Sequence, residues 1–529
     1  MIKVENISKQ FGSDFLFEEI NITLNPTERY GLIGANGTGK STFMKILSGD
    51  IDPSSGKIKI DKNKRISTLK QNQFAYEEMK VIDCVIFGYK KLWEIKVERE
   101  RLYNLNEMSE KESLLVADLE IEFAELGGYN AESDANKLLV GLGIDLEYHE
   151  NKMSSLEPGL KLKVLLAQTL FGNPDILLLD EPTNNLDLNS IKWLESLLLK
   201  SDSTIVVISH DRKFLNNVCT NIADIDYGKI SLYPGNYDDF MYASSQARQQ
   251  LISENQKKSD KIQELKAFVR RFSANASKAK QATSRQNQIE KIKIVDIEKS
   301  SRVYPYIRFE QKTKIYSNLL EVVNLSKSYN GLKVLKNINF SVEVGERIGI
   351  IGSNGIGKTT LLNCLYDQNF KDSGDINWAI NSEIEYFAQD SDEKIDSELS
   401  LIEWLKQYAD PSTSNEKIRS ILGRLLFSKD KIYKTMNILS GGEKRRMLFG
   451  KMMLKNPNVI ILDEPTNHLD MESIESLNSA LSIYDGTIIF TSHDREFISS
   501  LANRVFEMNH EKIIQHNQIP SDFLNSISG

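Results

Sequence analysis

Cysteines are scarce in this sequence, and no two of them lie close together in the chain. Cys84, Cys219 and Cys364 are the three cysteines among 529 residues. Zinc sites and disulfide frameworks need cysteines in pairs or at short spacings. The sequence therefore indicates buried, reduced thiols and excludes a fold built on zinc or disulfides.

Long apolar runs are lacking as well. No uninterrupted apolar stretch approaches the about 20 residues that a membrane-spanning helix requires. The N-terminal stretch MIKVENISKQFG has no apolar run beside a basic start, so we expect no secretory signal. A length of 529 residues allows more than one domain with a sizeable core in each, and the reduced thiols indicate a cytoplasmic protein.

What the sequence does contain is a long internal repeat. At an offset of 318 positions, Phe11 recurs as Tyr329, Lys40 as Lys358 and Gln71 as Gln389. At an offset of 283, Gly159 recurs as Gly442, Asp180 as Asp463 and His210 as His493. A repeated domain with one insertion of about 35 residues in its first copy explains both offsets. We therefore predict a first domain at 1–235, a connecting segment at 236–318 and a second domain at 319–529.

The insertion is predicted to form a helical arm at about 88–126. No proline interrupts it, and apolar residues recur at three- and four-residue steps as in a helical hairpin: Leu115, Leu119, Ile121, Phe123 and Leu126. From Glu107 to Glu125 the arm is acidic, with one lysine. RNA would repel such a surface, so we expect a basic protein as its neighbour if it has one. A solvated packing insert is the alternative.

The connecting segment 236–318 predicts a helix, a basic tip and a second helix. The tip runs from Ser273 to Gln286 and is small, polar and basic. A first helix of about 30 residues would project on the order of 45 Å, which would place the positive charge at the far end of a rod. Apolar stripes flank the tip, with Ile262, Leu265, Phe268 or Val269, and Phe272 before it and Ile289, Ile292 and Val295 after it.

A glycine-rich motif occurs once in each copy, as GLIGANGTGKSTF and GIIGSNGIGKTTL. Each follows a predicted strand and precedes a predicted helix, which is the context of a phosphate-binding P-loop. Backbone N–H groups of such a loop surround phosphate oxygens, the lysine adds positive charge, and the next hydroxyl can ligate Mg2+. The predicted phosphate-binding residues are Gly34, Asn36, Gly37, Gly39, Lys40, Ser41 and Thr42, and Gly352, Asn354, Gly355, Gly357, Lys358, Thr359 and Thr360.

Two acids end an apolar, strand-like run in each copy, in PDILLLDEPTNNLD and PNVIILDEPTNHLD. Asp180 and Asp463 are predicted Mg2+ ligands together with Ser41 and Thr359. The catalytic candidates Glu181 and Glu464 follow one step later, where a carboxylate can orient and polarise an attacking water. A strand ending in solvated acids is the alternative, but recurrence at the repeat offset does not favour it.

A histidine closes a further predicted strand in each copy, in ISHDRKFL and TSHDREFI. His210 and His493 can hydrogen-bond a γ-phosphate, and we predict a catalytic role for both. A single histidine is more often structural, but two of the chain's six histidines recur at the same offset. The repetition favours function.

These motifs, in the same order in both copies, resemble the ATP-binding-cassette superfamily. The resemblance implies an α/β fold of two tandem ABC-type P-loop NTPase domains joined by a long helical-hairpin linker. It implies an ATPase that uses Mg2+ and takes two ATP as substrate. It also implies adenine stacking by Phe11 and Tyr329, metal and water contacts by Gln71 and Gln389, and D-loop acids at Asp187 and Asp470.

In that superfamily each ATP lies between the P-loop of one copy and the signature of the other. By this resemblance, the second signature would bind the ATP at Lys40 through Ser440, Gly441, Gly442 and Glu443. The first signature departs from the pattern at Glu157 and Pro158, and keeps Gly159. A carboxylate near a γ-phosphate is repulsive, and proline has no N–H to donate. We therefore predict two unequal sites, of which the one at Lys40 closes more tightly.

Two cassettes joined by a charged hairpin, with an arm in the first copy, resemble the ABC-F family. The stretches RFSANASKAKQATSR and LEPGLKLKVLLAQTLF are most similar to its YbiT-like subgroup. Members are mostly ribosome-associated translation factors. The resemblance implies binding near the E site of the 70S ribosome in the ATP-bound closed state. The linker would reach P-site tRNA and the peptidyl-transferase region, and the arm would approach the L1 stalk.

The basic linker tip is the predicted RNA contact, to P-site tRNA and rRNA. Phosphate neutralisation by lysine and arginine would dominate such a contact, and a solvated helical surface is the alternative. We expect no membrane, DNA or transmembrane subunit as partner. The alternative functions are an ATP-gated regulatory or interaction protein outside the ribosome, and antibiotic protection of the ribosome. The candidate residues are Arg270, Arg271, Lys278, Lys280 and Arg285.

Overall fold

The computed structural model describes residues 1–517 except 13, 62, 71, 73, 107, 273–278, 293–301, 317, 330, 390–394, 396, 428 and 510–511. Within these residues the two sequence repeats form two α/β units with the same strand order. The predicted fold class is thereby confirmed.

The described strands of the first unit are β1 (Ile2–Phe11), β2 (Asp14–Leu24), β3 (Arg29–Ile33), β4 (Ser55–Ile60), β5 (Ile66–Thr68), β6 (Ile176–Asp180), β7 (Thr204–Ile208), β8 (Asn221–Asp226) and β9 (Lys229–Pro234). Its described helices are α1 (Lys40–Ser48), α2 (Val81–Ile86), α3 (Lys90–Tyr103), α4 (Glu110–Glu125), α5 (Ala131–Gly141), α6 (Pro158–Leu170), α7 (Leu188–Lys200) and α8 (Arg212–Val218).

The linker helices are α9 (Tyr237–Phe272) and α10 (Ala279–Lys291). The described strands of the second unit are β10 (Leu320–Tyr329), β11 (Leu332–Val342), β12 (Arg347–Ile351), β13 (Ser373–Trp378), β14 (Ile384–Phe387), β15 (Val459–Asp463), β16 (Thr487–Thr491), β17 (Arg504–Met508) and β18 (Ile513–His516). Its described helices are α11 (Lys358–Tyr366), α12 (Leu401–Lys406), α13 (Asn415–Arg424), α14 (Gly441–Lys455), α15 (Met471–Ser482) and α16 (Arg495–Leu501).

Each unit combines a core sheet with a smaller antiparallel sheet. The core sheets have the orders β5-β6-β7-β3-β8-β9 and β14-β15-β16-β12-β17-β18, parallel except for the last pair. Along β6, Leu177 and Leu179 face the helices on one side, whereas Ile176 and Leu178 face the antiparallel sheet on the other. Burial of both faces explains why the strand sequences are continuously apolar.

The strand register sets up the site. Asp180 pairs with Ile208 across β6 and β7, and Asp463 pairs with Thr491 across β15 and β16. Since these strands are parallel, the acids and the histidines that follow them lie at the same edge of the sheet.

The arm contains α3 and α4, and a charged and aromatic cluster around Arg99 is one of the contacts that join them. The Arg99 guanidinium lies 3.7 Å from the ring centre of Phe123 and 2.8 Å from Glu120. Phe123 is buried, but Leu115 and Ile121 are 42% and 61% exposed. The predicted apolar stripe is therefore wrong at these two positions, because α4 packs on α3 through a narrower face than its pattern implies.

The linker differs from the prediction in where its second helix begins. The prediction places residues 279–286 in the tip, but they belong to α10. Alanine, glutamine and arginine are good helix formers, and this local preference outweighs the polarity of the segment. The first helix, α9, has 36 residues and a length of about 54 Å, so the rod is longer than predicted. Leu265 of its apolar stripe is buried, whereas Val295 lies outside the described residues.

The chain after the linker crosses back over both units. Arg302 lies 2.5 Å from Asp224 of the first unit and 3.6 Å from Glu472 of the second. Ile307 and Phe309 then pack in the core of the second unit. The segment that follows α10 therefore attaches the linker to both units.

Candidate ATP-binding sites between the two copies

The two P-loops have the backbone shape that phosphate binding needs. Gly39 and Gly357 have φ values of 99° and 106°, in the left-handed region. A Cβ at Gly39 would lie 2.5 Å from the Leu16 side chain, so both conformation and space require glycine. Helices α1 and α11 start at the next residue, and their N-termini favour an anion.

The P-loop lysines are buried and turned onto their own loops. Lys40 Nζ donates to the carbonyl oxygens of Gly34 at 2.7 Å and Ala35 at 3.1 Å. Lys358 makes the equivalent bonds within its own loop, with the same distances. Burial is the main cause that lowers the pKa of both lysines, and nearby carboxylates oppose it. A phosphate would offer these ammonium groups a stronger, charged acceptor.

The first P-loop borders a cleft of about 870 Å³. Phe11, which is 59% exposed, lines it, so its ring is accessible to a planar base. Tyr329 in the second unit is 42% exposed and meets Phe370 at 6.2 Å between ring centres. The predicted residues that the cleft brings together are Phe11, Asn36, Gly37, Gly39, Lys40, Ser41, Thr42, Asp180, Glu181 and His210.

The predicted magnesium ligands lie side by side in each unit. The Ser41 hydroxyl lies near enough to Asp180 to oppose the rise of its pKa, and the Thr359 hydroxyl does the same for Asp463. Burial raises the pKa of both aspartates. A hydroxyl and a carboxylate beside a phosphate site suit Mg2+, which takes oxygen ligands. Of the two predicted glutamines, Gln389 accepts a hydrogen bond from Arg445 at its backbone carbonyl oxygen. Gln71 lies outside the described residues.

The catalytic candidates form the same pair in both units. Oε2 of Glu181 accepts from the His210 backbone N–H at 3.3 Å, and the His210 Nε2 lies 3.3 Å from Oε1. Glu464 and His493 repeat this geometry at 3.1 and 3.3 Å. Within the described structure, Oε1 of each glutamate is buried without a hydrogen-bond partner. A buried acceptor at this place could hold an attacking water.

Burial dominates the electrostatics of these pairs. It raises the pKa of Glu181 to about 8 and of Glu464 to about 7, and the adjacent aspartate contributes in the same direction. It lowers the pKa of His210 to about 4 and of His493 to about 3. The histidines are therefore neutral at physiological pH, whereas the glutamates can take up a proton close to neutral pH.

The D-loop acids cap helices and face the other unit. Asp187 accepts from the Ser190 backbone N–H at 2.9 Å, and Asp470 from that of Ser473 at 2.9 Å. The charge of Asp470 opposes the lowering of the Lys40 pKa by burial, and that of Asp187 opposes the lowering of the Lys358 pKa. Each P-loop thus lies within electrostatic range of the D-loop acid of the other copy.

The two signatures start helices at equivalent positions but cap them differently. Ser440 and Glu443 form a reciprocal capping box at the start of α14, where Gly441 and Gly442 are the first helical residues. Glu157 precedes α6 without a side-chain cap, Pro158 is the first helical residue and Gly159 the second. The structure therefore preserves a helix N-terminus at both signatures but a serine hydroxyl at one.

The RNA candidates are described in part. Arg270 lies on α9 and Arg285 on α10, and both are exposed. Arg271 and Lys280 belong to the same helices, whereas Lys278 lies outside the described residues.

Three arginines near the candidate sites were not identified from the sequence. Two of them form ion pairs between the units, and the third is buried under the second site. Arg212 and Arg495 follow the His-Asp pair of each copy and recur at the 283 offset, a signal that could have identified them. Arg212 pairs with Glu475 at 2.7 Å and Arg495 with Glu195 at 3.3 Å, so both join the two units. Arg445 is buried beneath the second site, and its repeat position holds a leucine, so repetition could not reveal it.

Comparison with known proteins identifies the family. The sequence profile described as ABC transporter matches residues 17–184 and 335–467, and a second profile with the same description matches residues 223–309. The Probable ATP-binding protein YbiT of Escherichia coli O157:H7 is 54% identical over 526 residues, 99% of each chain. The ABC transporter F family member 2 of Arabidopsis thaliana is 33% identical over 518 residues, 96% of this chain and 76% of that one.

Solved structures agree on the fold. The archaeal ribosome recycling factor aABCE1, solved in complex with the ribosomal stalk protein aP1, matches with a TM-score of 0.63 over 99% of this chain and 92% of that chain. The sequence identity is 20%, so this likeness concerns the fold alone. Among the described helices, none has the length and apolar composition to cross a membrane.

Proposed function

This chain belongs to the ABC-F family of tandem ATP-binding-cassette ATPases, in its YbiT-like subgroup, and from that premise we propose that it is a cytoplasmic translation factor. It hydrolyses ATP. We infer that two Mg2+–ATP bind between the units, and that the closed state binds near the E site of the 70S ribosome. The linker then points at P-site tRNA, rRNA and the peptidyl-transferase region.

The exposed basic linker carries this proposal. The chain has a net charge of −8, yet Arg270 and Arg285 are exposed on the two helices of a rod about 54 Å long. Nearer the base of the rod, Lys257, Lys258, Lys261 and Lys291 line one cleft. Concentrated positive charge on a projecting element suits the RNA backbone, because phosphate neutralisation supplies most of the affinity.

The arm fits a different neighbour. Its helix α4 exposes acidic side chains together with Leu115 and Ile121. We propose that a basic ribosomal protein, near the L1 stalk, covers this face. RNA would repel it.

The decisive experiment uses the double variant Glu181→Gln, Glu464→Gln, which should bind ATP and hydrolyse it slowly. Lysate containing it is separated on a sucrose gradient with ATP or with ADP. Co-migration with 70S particles in ATP but not in ADP supports the proposal. A variant that binds ATP yet stays at the top of the gradient would instead favour a regulatory protein outside the ribosome.

The linker contact has its own test. One variant changes the five linker candidates to Ala: Arg270, Arg271, Lys278, Lys280 and Arg285. The slope of log K for ribosome binding against log salt concentration should become less steep, by up to about 0.7–0.9 for each phosphate that is no longer neutralised. A control with equal reduction of charge replaces five exposed lysines of the two units, Lys57, Lys200, Lys229, Lys333 and Lys336. Equal slopes in both variants would refute RNA contact at the linker.

The alternative function, antibiotic protection of the ribosome, has a different test. If expression of this protein restores the growth of cells treated with a ribosome-targeting antibiotic, the protection function is favoured.

A further inference from the structure

Arg445 is a buried arginine beneath the second catalytic centre. Its side chain is 2% exposed. Nη1 donates to the carbonyl oxygen of Glu464 at 3.2 Å, and Nη2 donates to that of Gln389 at 3.3 Å. The guanidinium also lies 5.7 Å from the ring centre of Phe387. One planar group thus holds two peptide carbonyls of the catalytic centre in fixed relation.

The residue that it holds is in an uncommon conformation. Glu464 has a φ of 47°, and Glu181 of the first copy has a φ of 52°, so this conformation is common to both copies and does not by itself require Arg445. Its N–H donates to Thr491 Oγ1 at 3.0 Å, and its carbonyl oxygen accepts from Arg445. These two bonds hold the peptide groups on either side of Glu464, and in the second copy one of them comes from the signature helix.

Arg445 also belongs to the signature helix. It lies five positions after Ser440 on α14, about 7.5 Å along the helix axis. The signature lies against its own D-loop, since a Cβ at Gly442 would be 3.1 Å from the His468 carbonyl oxygen. That D-loop carries Asp470, whose charge acts on Lys40. The helix therefore connects the Lys40 site to the Lys358 site.

The first copy lacks this connection. Its equivalent residue is Leu162, and an alkyl side chain cannot donate to a carbonyl group. The neighbouring Lys161 is buried and pairs with Glu77 at 2.7 Å, away from Glu181. The two signature helices are thus joined to different parts of their own units.

We propose that Arg445 is a positioning residue that couples closure of the second signature on the ATP at Lys40 to the placement of Glu464 at the ATP of Lys358. The coupling runs in this direction alone, because Leu162 cannot make the reverse link. The proposal rests on the proposed pairing of each P-loop with the signature of the other copy.

The test separates the two sites by their catalytic glutamates. In E181Q the remaining hydrolysis occurs at Lys358, and in E464Q at Lys40. We expect R445M to lower kcat at least about tenfold in the E181Q protein, with KM changed less than about twofold, because orientation is lost and binding is not. R445K should recover part of kcat, since an ammonium can reach one carbonyl. The decrease in the E464Q protein should be much smaller.

A double-mutant cycle tests the relay itself. If Arg445 transmits closure, S440A and R445M together in the E181Q protein lower kcat no further than R445M alone. The proposal would be overturned if the decreases in kcat caused by S440A and R445M multiplied in the double variant. It would also be overturned if R445M left kcat unchanged. If R445M does not fold, as judged by its thermal unfolding midpoint, R445K decides: a kcat lowered about three- to tenfold supports the relay, and an unchanged kcat overturns it.

The cycle also distinguishes two kinds of failure. S440A in the E464Q protein reports whether the second signature serves the ATP at Lys40. An unchanged KM and kcat there would mean that the cross-copy pairing is wrong. The role of Arg445 alone would be overturned if S440A clearly lowered activity there while R445M left the kcat of the E181Q protein unchanged.

Discussion

Arg212 Nη2 lies 2.7 Å from Glu475 Oε2, and this ion pair joins helix α8 of the first unit to helix α15 of the second. Arg212 comes two residues after His210, so the contact lies directly behind a catalytic candidate. Arg495 occupies the equivalent place after His493 and pairs with Glu195. An ion pair between the two units therefore lies two residues after each of the histidine candidates.

Charge reversal at the first pair should open the units. Arg212→Glu places a carboxylate beside Glu475 and Glu496. A partly exposed pair contributes about 1 kcal/mol, so closure by a non-hydrolysable ATP analogue should need about fivefold more ligand. Energy transfer between dyes on the two units measures this. The double variant Arg212→Glu, Glu475→Arg is the matched control and should restore closure; equal behaviour of both variants would show that the pair is unimportant.

The two catalytic glutamates should contribute unequally. In the proposed pairing of the copies, Glu181 would serve the site whose signature keeps Ser440, and Glu464 the site whose signature has Glu157 and Pro158. We expect Glu181→Gln to remove more than half of the ATPase activity and Glu464→Gln to remove less. Steady-state phosphate release at saturating ATP measures both. Equal fractional decreases would contradict the asymmetry of the two sites.

Closure should weaken as pH rises through neutrality. Burial and the charge of Asp211, which belongs to the other unit, raise the pKa of Asp494 to about 7, and burial also raises that of Asp211. Of the other charged groups around this pair, Arg495 opposes the shift and Glu195 and Glu496 reinforce it. An acid whose pKa is raised by closure binds a proton on closing, so closure is favoured at low pH, and the advantage is lost as pH passes about 7.

Asp494→Asn should make this pH dependence between pH 6 and 8 less steep, and the remainder should come from Glu181 and Glu464, whose pKa values are raised to about 8 and about 7. Asparagine caps a helix as well as aspartate does, so the cap that Asp494 supplies to Phe497 N–H is retained. The dye-labelled protein titrated with the ATP analogue at each pH gives the measurement. A pH dependence as steep as that of the unchanged protein would exclude the Asp211 and Asp494 pair as its source.

Two helical glycines make a matched pair for stability. A Cβ at Gly141 would lie 2.0 Å from the Trp193 ring, whereas a Cβ at Gly423 would meet nothing within 4 Å. Gly141→Ala should lower the free energy of unfolding by about 1–3 kcal/mol through overpacking. Gly423→Ala should raise it by up to about 1 kcal/mol through helix propensity. Urea unfolding of both variants checks the prediction, and destabilisation by both would contradict it.

Local motifs were predictable from the sequence because their chemistry depends on short spacing. The P-loops, the strand-ending acids and the histidines each occupy a few consecutive residues, and their recurrence at constant offsets separated them from chance. The arm was predictable as helical, but the exposure of Leu115 and Ile121 was not, because periodicity shows which residues share a face and not how much of that face a neighbour covers.

The linker illustrates the same limit. Basic composition identified the segment, but the start of α10 at Ala279 depended on helix propensity in a stretch that reads as a polar tip. Arg302, which joins both units, has no motif around it and could not be found from the sequence.

By itself, the sequence determined the repeated α/β architecture and the candidate residues for phosphate binding and ATP hydrolysis, since these follow from patterns within one copy. The tertiary structure alone decided how the copies communicate. The pairing of Arg212 with Glu475 and the burial of Arg445 beneath Glu464 bring together residues that are 263 and 19 positions apart. Such contacts depend on how the units and helices pack, and no local spacing encodes that packing.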